Sequence, residues 1–261
     1  MRAIIKALLL VSVSVKLQIN SESTLYMANI KGLLFDKDGT LFDFTAVWGV
    51  WCERVLGELS PDNAALTMQL AEVAGYDLQH RKFIVGSSIV NAAADETNQC
   101  WAKLLPSWSV EQIEEVGLRH LAELELAPVT DLAPLFQQIK SMGLQLGLAT
   151  NDFEIAAKSQ LKQSGIESYF DFICGFDSGF GSKPAPGMIN EFCRVSGCAP
   201  GSVAMVGDST HDLIAGSSAG VGLRVGVLTG PATVDDLEDY ADIVLADISL
   251  LPAYLVQQGL L

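Results

Sequence analysis

Beyond Pro128 the hydrophobic pattern keeps switching between two periods, and that switching limits the possible folds more than any other feature of the chain. Strand-like apolar runs fall at residues 144–149, 170–174, 203–206, 223–228 and 243–245, with helical patterns between them at 132–142, 155–164, 188–196 and 212–219. Strands joined through helices run parallel, cross over right-handed and carry helices on both faces. The expected class is therefore α/β, a doubly wound parallel sheet of Rossmann-like form.

One more apolar run, residues 30–35, has the same character but stands far upstream. Between it and the alternating region the pattern is helical: Val47, Val50, Trp51, Val55 and Leu56 share a face, and further helical stretches are expected at 64–74, 84–105 and 110–126. Small residues such as Gly86, Ala92, Ala93 and Ala94 permit close packing, Ser109 is a cap for the last helix, and Pro61, Pro106 and Pro128 mark breaks. Residues 27–43 and 129–261 are thus expected to form one core, with 44–128 inserted as an α-helical cap over the carboxyl edge of the first strand, where open α/β sheets bind ligands.

At 261 residues and 49% hydrophobic the chain can bury a full core. Its net charge of −15 argues against a nucleic-acid or anionic-membrane partner, which needs clustered cations. Five cysteines without a Cys-x-x-Cys pair indicate neither a disulfide framework nor a zinc site and suit a reducing, cytoplasmic compartment. Residues 1–26 differ from the rest: Arg2, Lys6 and Lys16 against Glu22 give +2, leaving −17 of the total −15 for the remainder. An apolar run at 7–15 follows Arg2 and Lys6, too short to span a bilayer and without a small-x-small cleavage site. The segment is read as an extension upstream of a start at Met27, with a targeting segment as the alternative.

Four polar clusters follow strand patterns and would converge on one sheet edge. In the first, Asp36-Lys37-Asp38-Gly39-Thr40, two carboxylates two residues apart can divide nucleophile from acid/base if the loop curls. Gly39 supplies the conformational freedom for the curl, and the Thr40 hydroxyl can bond the loop backbone. A plain strand-to-turn junction would also use Asp and Gly. Thr150, Asn151 and free backbone N–H groups at the second can bind phosphate oxygens, or simply cap a helix. Lys183, in a loop stiffened by Pro184 and Pro186, is suited to neutralising phosphate. Asp208 and Asp212, four apart at a strand-to-helix junction, can serve one cation, and an all-oxygen set suits Mg²⁺.

Together the four clusters resemble the motifs of the haloacid dehalogenase superfamily of phosphohydrolases, and Phe35 to Leu41 is most similar to its phosphoglycolate-phosphatase-like group. Lys37 stands where an apolar residue is usual, and is expected to be solvated, with a source of positive charge near the mouth of the site as the alternative; Phe44 stands where Ser is frequent. The resemblance implies that Asp36 attacks phosphorus to form an aspartyl-phosphate, that Asp38 protonates the leaving alkoxide and then activates water, and that Thr150 and Lys183 hold the phosphoryl group. It also implies Mg²⁺ bound by Asp36, Asp208 and the Asp38 carbonyl, contacts to substrate from Gly39, Thr40 and Asn151, and an Asp212 that orients Lys183 or a metal-bound water. The substrate would be a small phosphorylated metabolite, phosphoglycolate first. A phosphomutase is the nearest alternative, and a non-catalytic binding protein would be expected to lack one of these residues. Arg54, Arg81 and Lys82 are candidates for a second anionic group of the substrate or for surface cations, and Trp48 and Trp51 for a pocket wall or packing.

Overall fold

A computed structural model describes residues 29–84, 87–91 and 94–261. Residues 1–28, and with them the expectations about the N-terminal extension, lie outside the described residues, as do Gly86, Ala92 and Ala93.

In chain order the elements are β1 (Gly32–Phe35), α1 (Val50–Leu59), α2 (Ala64–Ala74), β2 (Tyr76–Asp77), β3 (Lys82–Phe83), α3 (Ser88–Asn91), α4 (Ala94–Leu104), α5 (Val110–Ala122) and α6 (Leu132–Ser141). They continue with β4 (Gln145–Ala149), α7 (Glu154–Gln163), β5 (Phe172–Cys174), α8 (Gly187–Ser196), β6 (Val203–Gly207), α9 (Thr210–Ala219), β7 (Leu223–Val227), α10 (Val234–Leu237), β8 (Ile243–Leu245) and α11 (Leu251–Gln257). Six strands form one parallel sheet in the order β5-β4-β1-β6-β7-β8. The order reverses at β1, whose Phe35 lies opposite Leu148 of β4 on one side and Val206 of β6 on the other. Such a switch point opens a crevice beyond the strand ends.

The pleat divides the strand residues between two apolar layers. Leu33 and Phe35, with Leu146, Leu148 and Val206, face the core built with α6 and α11; Leu34, Val203 and Met205 face the core built with α8 and α9. Each of these large side chains is fully buried, and burying one contributes about 1.5–3 kcal/mol before ordering costs. With both faces covered, the strands read as continuous apolar runs, which is why the sequence reveals them.

The helical insertion has a core of its own, centred on Val55, Leu56, Leu70, Trp101, Ile113 and Val116, and Trp48 packs against both this core and the sheet's. It joins the sheet through two antiparallel segments: Asp43 N–H donates to Ala127 O at 2.8 Å and Val129 N–H to Leu41 O at 3.0 Å. Ser109 caps α5 with a reciprocal bond to Gln112. Of the helix expected over 84–105 the described residues include α3 and α4, with residues 92–93 between them outside the described residues, and α5 ends at Ala122 rather than 126. The β2–β3 hairpin escapes the sequence pattern because two-residue strands are too short to show a period. Among the described residues no helix is long and apolar enough to cross a membrane.

Candidate active site

Four loops leave the C-terminal ends of the sheet strands and meet. The first begins where Asp36 N–H donates to Val206 O at 2.9 Å, continuing the β1–β6 ladder one residue into the loop. The chain then curls, with Leu41 N–H on Lys37 O at 2.8 Å and Gly39 N–H on Phe42 O at 2.7 Å. Gly39 has φ +79°, and a Cβ there would overlap the Asp208 carboxylate, so the position requires glycine for conformation and for space. Gly230, after β7, presses on the same carboxylate and has no room for a Cβ either, while its neighbour Thr229 donates its hydroxyl to Gly39 O at 2.6 Å.

The centre of the site is an ammonium among carboxylates. Lys183 Nζ lies 2.5 Å from Asp36 Oδ1 and 2.5 Å from Asp212 Oδ1, and all three side chains are buried. The lysine's own loop is fixed by Asn151, whose amide donates to Lys183 O at 3.0 Å and whose oxygen accepts from Lys183 N–H at 2.8 Å. Asp212 belongs to the capping box of α9: its Oδ2 accepts from Ser209 Oγ at 2.7 Å and Ser209 N–H at 3.1 Å. With both of its oxygens held, Asp212 sets where the lysine points.

Burial by itself would lower the Lys183 pKa, but Asp212 and Asp36 outweigh it and drive the pKa upward, so the ammonium stays charged. Burial raises Asp36; Lys183 pulls it down and Asp212 pushes it up again, and the net result is a carboxyl pushed up to about 7. Asp208 is held well above the ordinary range by burial first and then by the charges of Asp36 and Asp212. Its one hydrogen-bond partner from another side chain, among the described residues, is the Thr40 hydroxyl, 3.5 Å from Oδ1. Three buried carboxylates against one ammonium leave a negative excess, and Asp36, Asp208 and Asp212 each present an oxygen within 4.8 Å of the others. A divalent, oxygen-preferring cation fits this set, and Asp208 is the carboxylate most in need of one.

Asp36, Thr40, Lys183, Asp208 and Asp212, from three of the four sequence-distant clusters, are thus gathered at one point. Thr150 is buried just beyond the end of β4; its N–H donates to Cys174 O at 3.0 Å and its hydroxyl accepts from Asp152 N–H at 3.1 Å. The Asp38 carboxylate lies outside the trio and pairs with Lys37 at 2.8 Å. Lys37 is the clear correction: it is completely buried rather than solvated, because two carboxylates and the Gln160 amide oxygen surround it. Thr40 turns its hydroxyl to Asp208 rather than to the loop backbone. Arg81 is occupied by a bidentate pair with Glu53, at 2.8 and 2.7 Å. Arg54 is exposed and lines a crevice of about 340 Å³ with Ala46, Val50 and residues 123–127; Trp51 donates to Gly117 O at 2.8 Å, a packing role. Thr229 and Gly230 were missed, although they carry the same signal as the other loops, a hydroxyl and a glycine directly after an apolar strand.

Residues 30–220 match the haloacid dehalogenase-like hydrolase family. Phosphoglycolate phosphatase from Neisseria meningitidis is 42% identical over 204 residues, spanning 77% of this chain and 82% of its own. A phosphoglycolate phosphatase from Aquifex aeolicus is 28% identical over 196 residues, 72% of this chain and 80% of that one. Among solved structures, a beta-phosphoglucomutase from Clostridium difficile superposes with TM-score 0.61 at 20% identity, over 88% of this chain and 96% of its own, which shows a shared fold. The family match over most of the chain, the near relatives and the parallel sheet with its strand-end loops agree: the chain belongs to the haloacid dehalogenase-like hydrolase family, in its phosphoglycolate-phosphatase-like group.

Proposed function

We propose that the chain is a Mg²⁺-dependent phosphatase of small phosphate monoesters, with phosphoglycolate the first substrate to test, and that it transfers the phosphoryl group to Asp36 before hydrolysis. The observation that carries this reading is Lys183 Nζ shared between Asp36 Oδ1 and Asp212 Oδ1. Two of the ammonium's three hydrogens are engaged by carboxylates, and the third is available to a phosphoryl oxygen. An anionic nucleophile can approach a phosphate dianion only where positive charge offsets their repulsion. Asp36 and Asp208, with the Asp38 backbone carbonyl, would hold Mg²⁺, which when bound supplies charge neutralisation for the nucleophile and the equatorial oxygens. Asp212 is already saturated by Lys183 and Ser209, so its part is to aim the lysine.

In the first half-reaction an Asp36 oxygen forms the bond to phosphorus while the ester oxygen leaves and takes a proton from the Asp38 carboxyl. In the second, Asp38 removes a proton from water, which attacks phosphorus and returns Asp36 as carboxylate. Thr150, at the end of β4, binds the phosphoryl group with Lys183. Asn151 spends its amide on the Lys183 backbone and is reassigned from substrate contact to holding that loop. Gly39 and Thr40 likewise shape the pocket around Asp208 rather than grip substrate. Residues 44–128 act as a cap that opens and closes on the segments at Asp43 and 127–129. The cytoplasm is the expected compartment. Rates on a panel of small phosphate monoesters, with Mg²⁺ and with EDTA, test the reading. Turnover should require metal and vanish in Asp36→Asn; metal-independent hydrolysis, or an active Asp36→Asn, overturns it.

A further inference from the structure

Lys37 is unusual for a lysine. It is completely buried, and oxygens of three side chains surround its ammonium: Asp38 Oδ2 at 2.8 Å, Asp152 Oδ2 at 2.9 Å and Gln160 Oε1. A buried ammonium is tolerated only when its charge is compensated, and here two carboxylates and an amide oxygen enclose it. Two of the partners belong to the chain following β4: Asp152 sits in the loop and Gln160 on α7. Asp152 N–H also bonds the Thr150 hydroxyl at 3.1 Å. The lysine therefore ties Asp38 to the same loop that carries Thr150 and, through Asn151, holds Lys183. Among the described residues nothing binds Asp38 Oδ1.

We propose that Lys37 is a positioning residue for proton transfer: by holding Asp38 Oδ2 against the β4 loop it fixes the carboxylate's rotamer and leaves Oδ1 to exchange the proton with the leaving oxygen. This rests on the proton-transfer role given to Asp38 above. As the P–O bond breaks, its electron pair goes to the ester oxygen and the proton moves to that oxygen from Asp38 Oδ1. Lys37 touches neither substrate nor reacting atom, so its loss acts only through Asp38. An alkyl phosphate needs that proton, because an alkoxide is a poor leaving group. p-Nitrophenyl phosphate does not, because p-nitrophenolate leaves unassisted.

The test is the ratio of kcat/KM values for phosphoglycolate and p-nitrophenyl phosphate, which reports the first half-reaction and does not depend on the fraction of active enzyme. Positioned acid–base groups contribute about 10²–10⁴-fold, so Lys37→Met should lower the ratio by about tenfold or more. If the methionine variant does not accumulate, Lys37→Gln, which keeps one donor, is read in the same way. Asp38→Asn is the control. If it lowers the ratio and the Lys37 variants do not, the positioning inference is wrong while the role of Asp38 stands. If Asp38→Asn leaves the ratio unchanged, the underlying reading fails instead. A ratio that rises in Lys37→Met would mean that the lysine restrains Asp38 away from substrate, and also overturns the proposal.

Discussion

Raising the pH from 5 to 7 without divalent metal is expected to destabilise this protein through Asp36. In the unfolded chain that carboxyl gives up its proton near its ordinary value of 3.8; in the folded site burial and the neighbouring carboxylates hold the proton up to about 7. Across that interval the native state binds more protons than the unfolded one, so stability is greatest at low pH and is lost as pH rises through the folded value. Each pH unit is worth about 1.4 kcal/mol while the full proton difference lasts, and because that difference halves as pH reaches the folded value the interval from 5 to 7 gives about 2 kcal/mol. For a chain of this size that corresponds to a Tm decrease of roughly 4–8 °C. Asp208 shifts in the same direction and adds to the effect. Urea unfolding in EDTA at several pH values, on wild type and Asp36→Asn, isolates the contribution, since asparagine cannot titrate. The variant should lose the share of the slope that Asp36 contributes and be the more stable protein at pH 8. Mg²⁺ should stabilise wild type at pH 8 more than at pH 5. Parallel slopes for the two proteins, or equal stabilisation by Mg²⁺ at both pH values, would refute the claim that the site holds uncompensated negative charge.

Three substitutions probe the parts separately. Lys183→Ala removes the ammonium that touches Asp36 and should reduce kcat by about 10²–10³-fold, measured on the best ester of the panel. Asn151→Ala loosens the lysine's loop without touching the carboxylates and should reduce kcat about tenfold with little change in Tm. Gly39→Ala forces a Cβ onto the Asp208 carboxylate at φ +79° and should lower Tm and abolish stabilisation by Mg²⁺ in a thermal scan.

The sequence displays the sheet because each strand is buried on both faces and therefore reads as an unbroken apolar run ending in a polar loop. The same ends identify Asp36, Thr150 and Asp208, since parallel strands must deliver their C-terminal residues to one edge. Lys183 comes from the loop after β5, and only the restraint of Pro184 and Pro186 and the family resemblance single it out. What one-dimensional pattern cannot show is pairing across distant loops. Lys37 reads as a surface cation because nothing in sequence records that Asp152 and Gln160, more than a hundred residues on, enclose it. The bond from Asn151 to the Lys183 backbone is equally invisible in the sequence. The short β2–β3 hairpin is decided by packing within the insertion and leaves no periodic trace.

Whether phosphorus becomes bonded to Asp36 can be measured directly. Enzyme mixed with phosphoglycolate and Mg²⁺, quenched in acid within milliseconds and digested, should yield the peptide containing Asp36 heavier by one phosphoryl group, with the label absent in Asp36→Asn and lost on incubation with hydroxylamine. A peptide that stays unmodified while product forms in a full first turnover, or a label on another residue, would contradict the account.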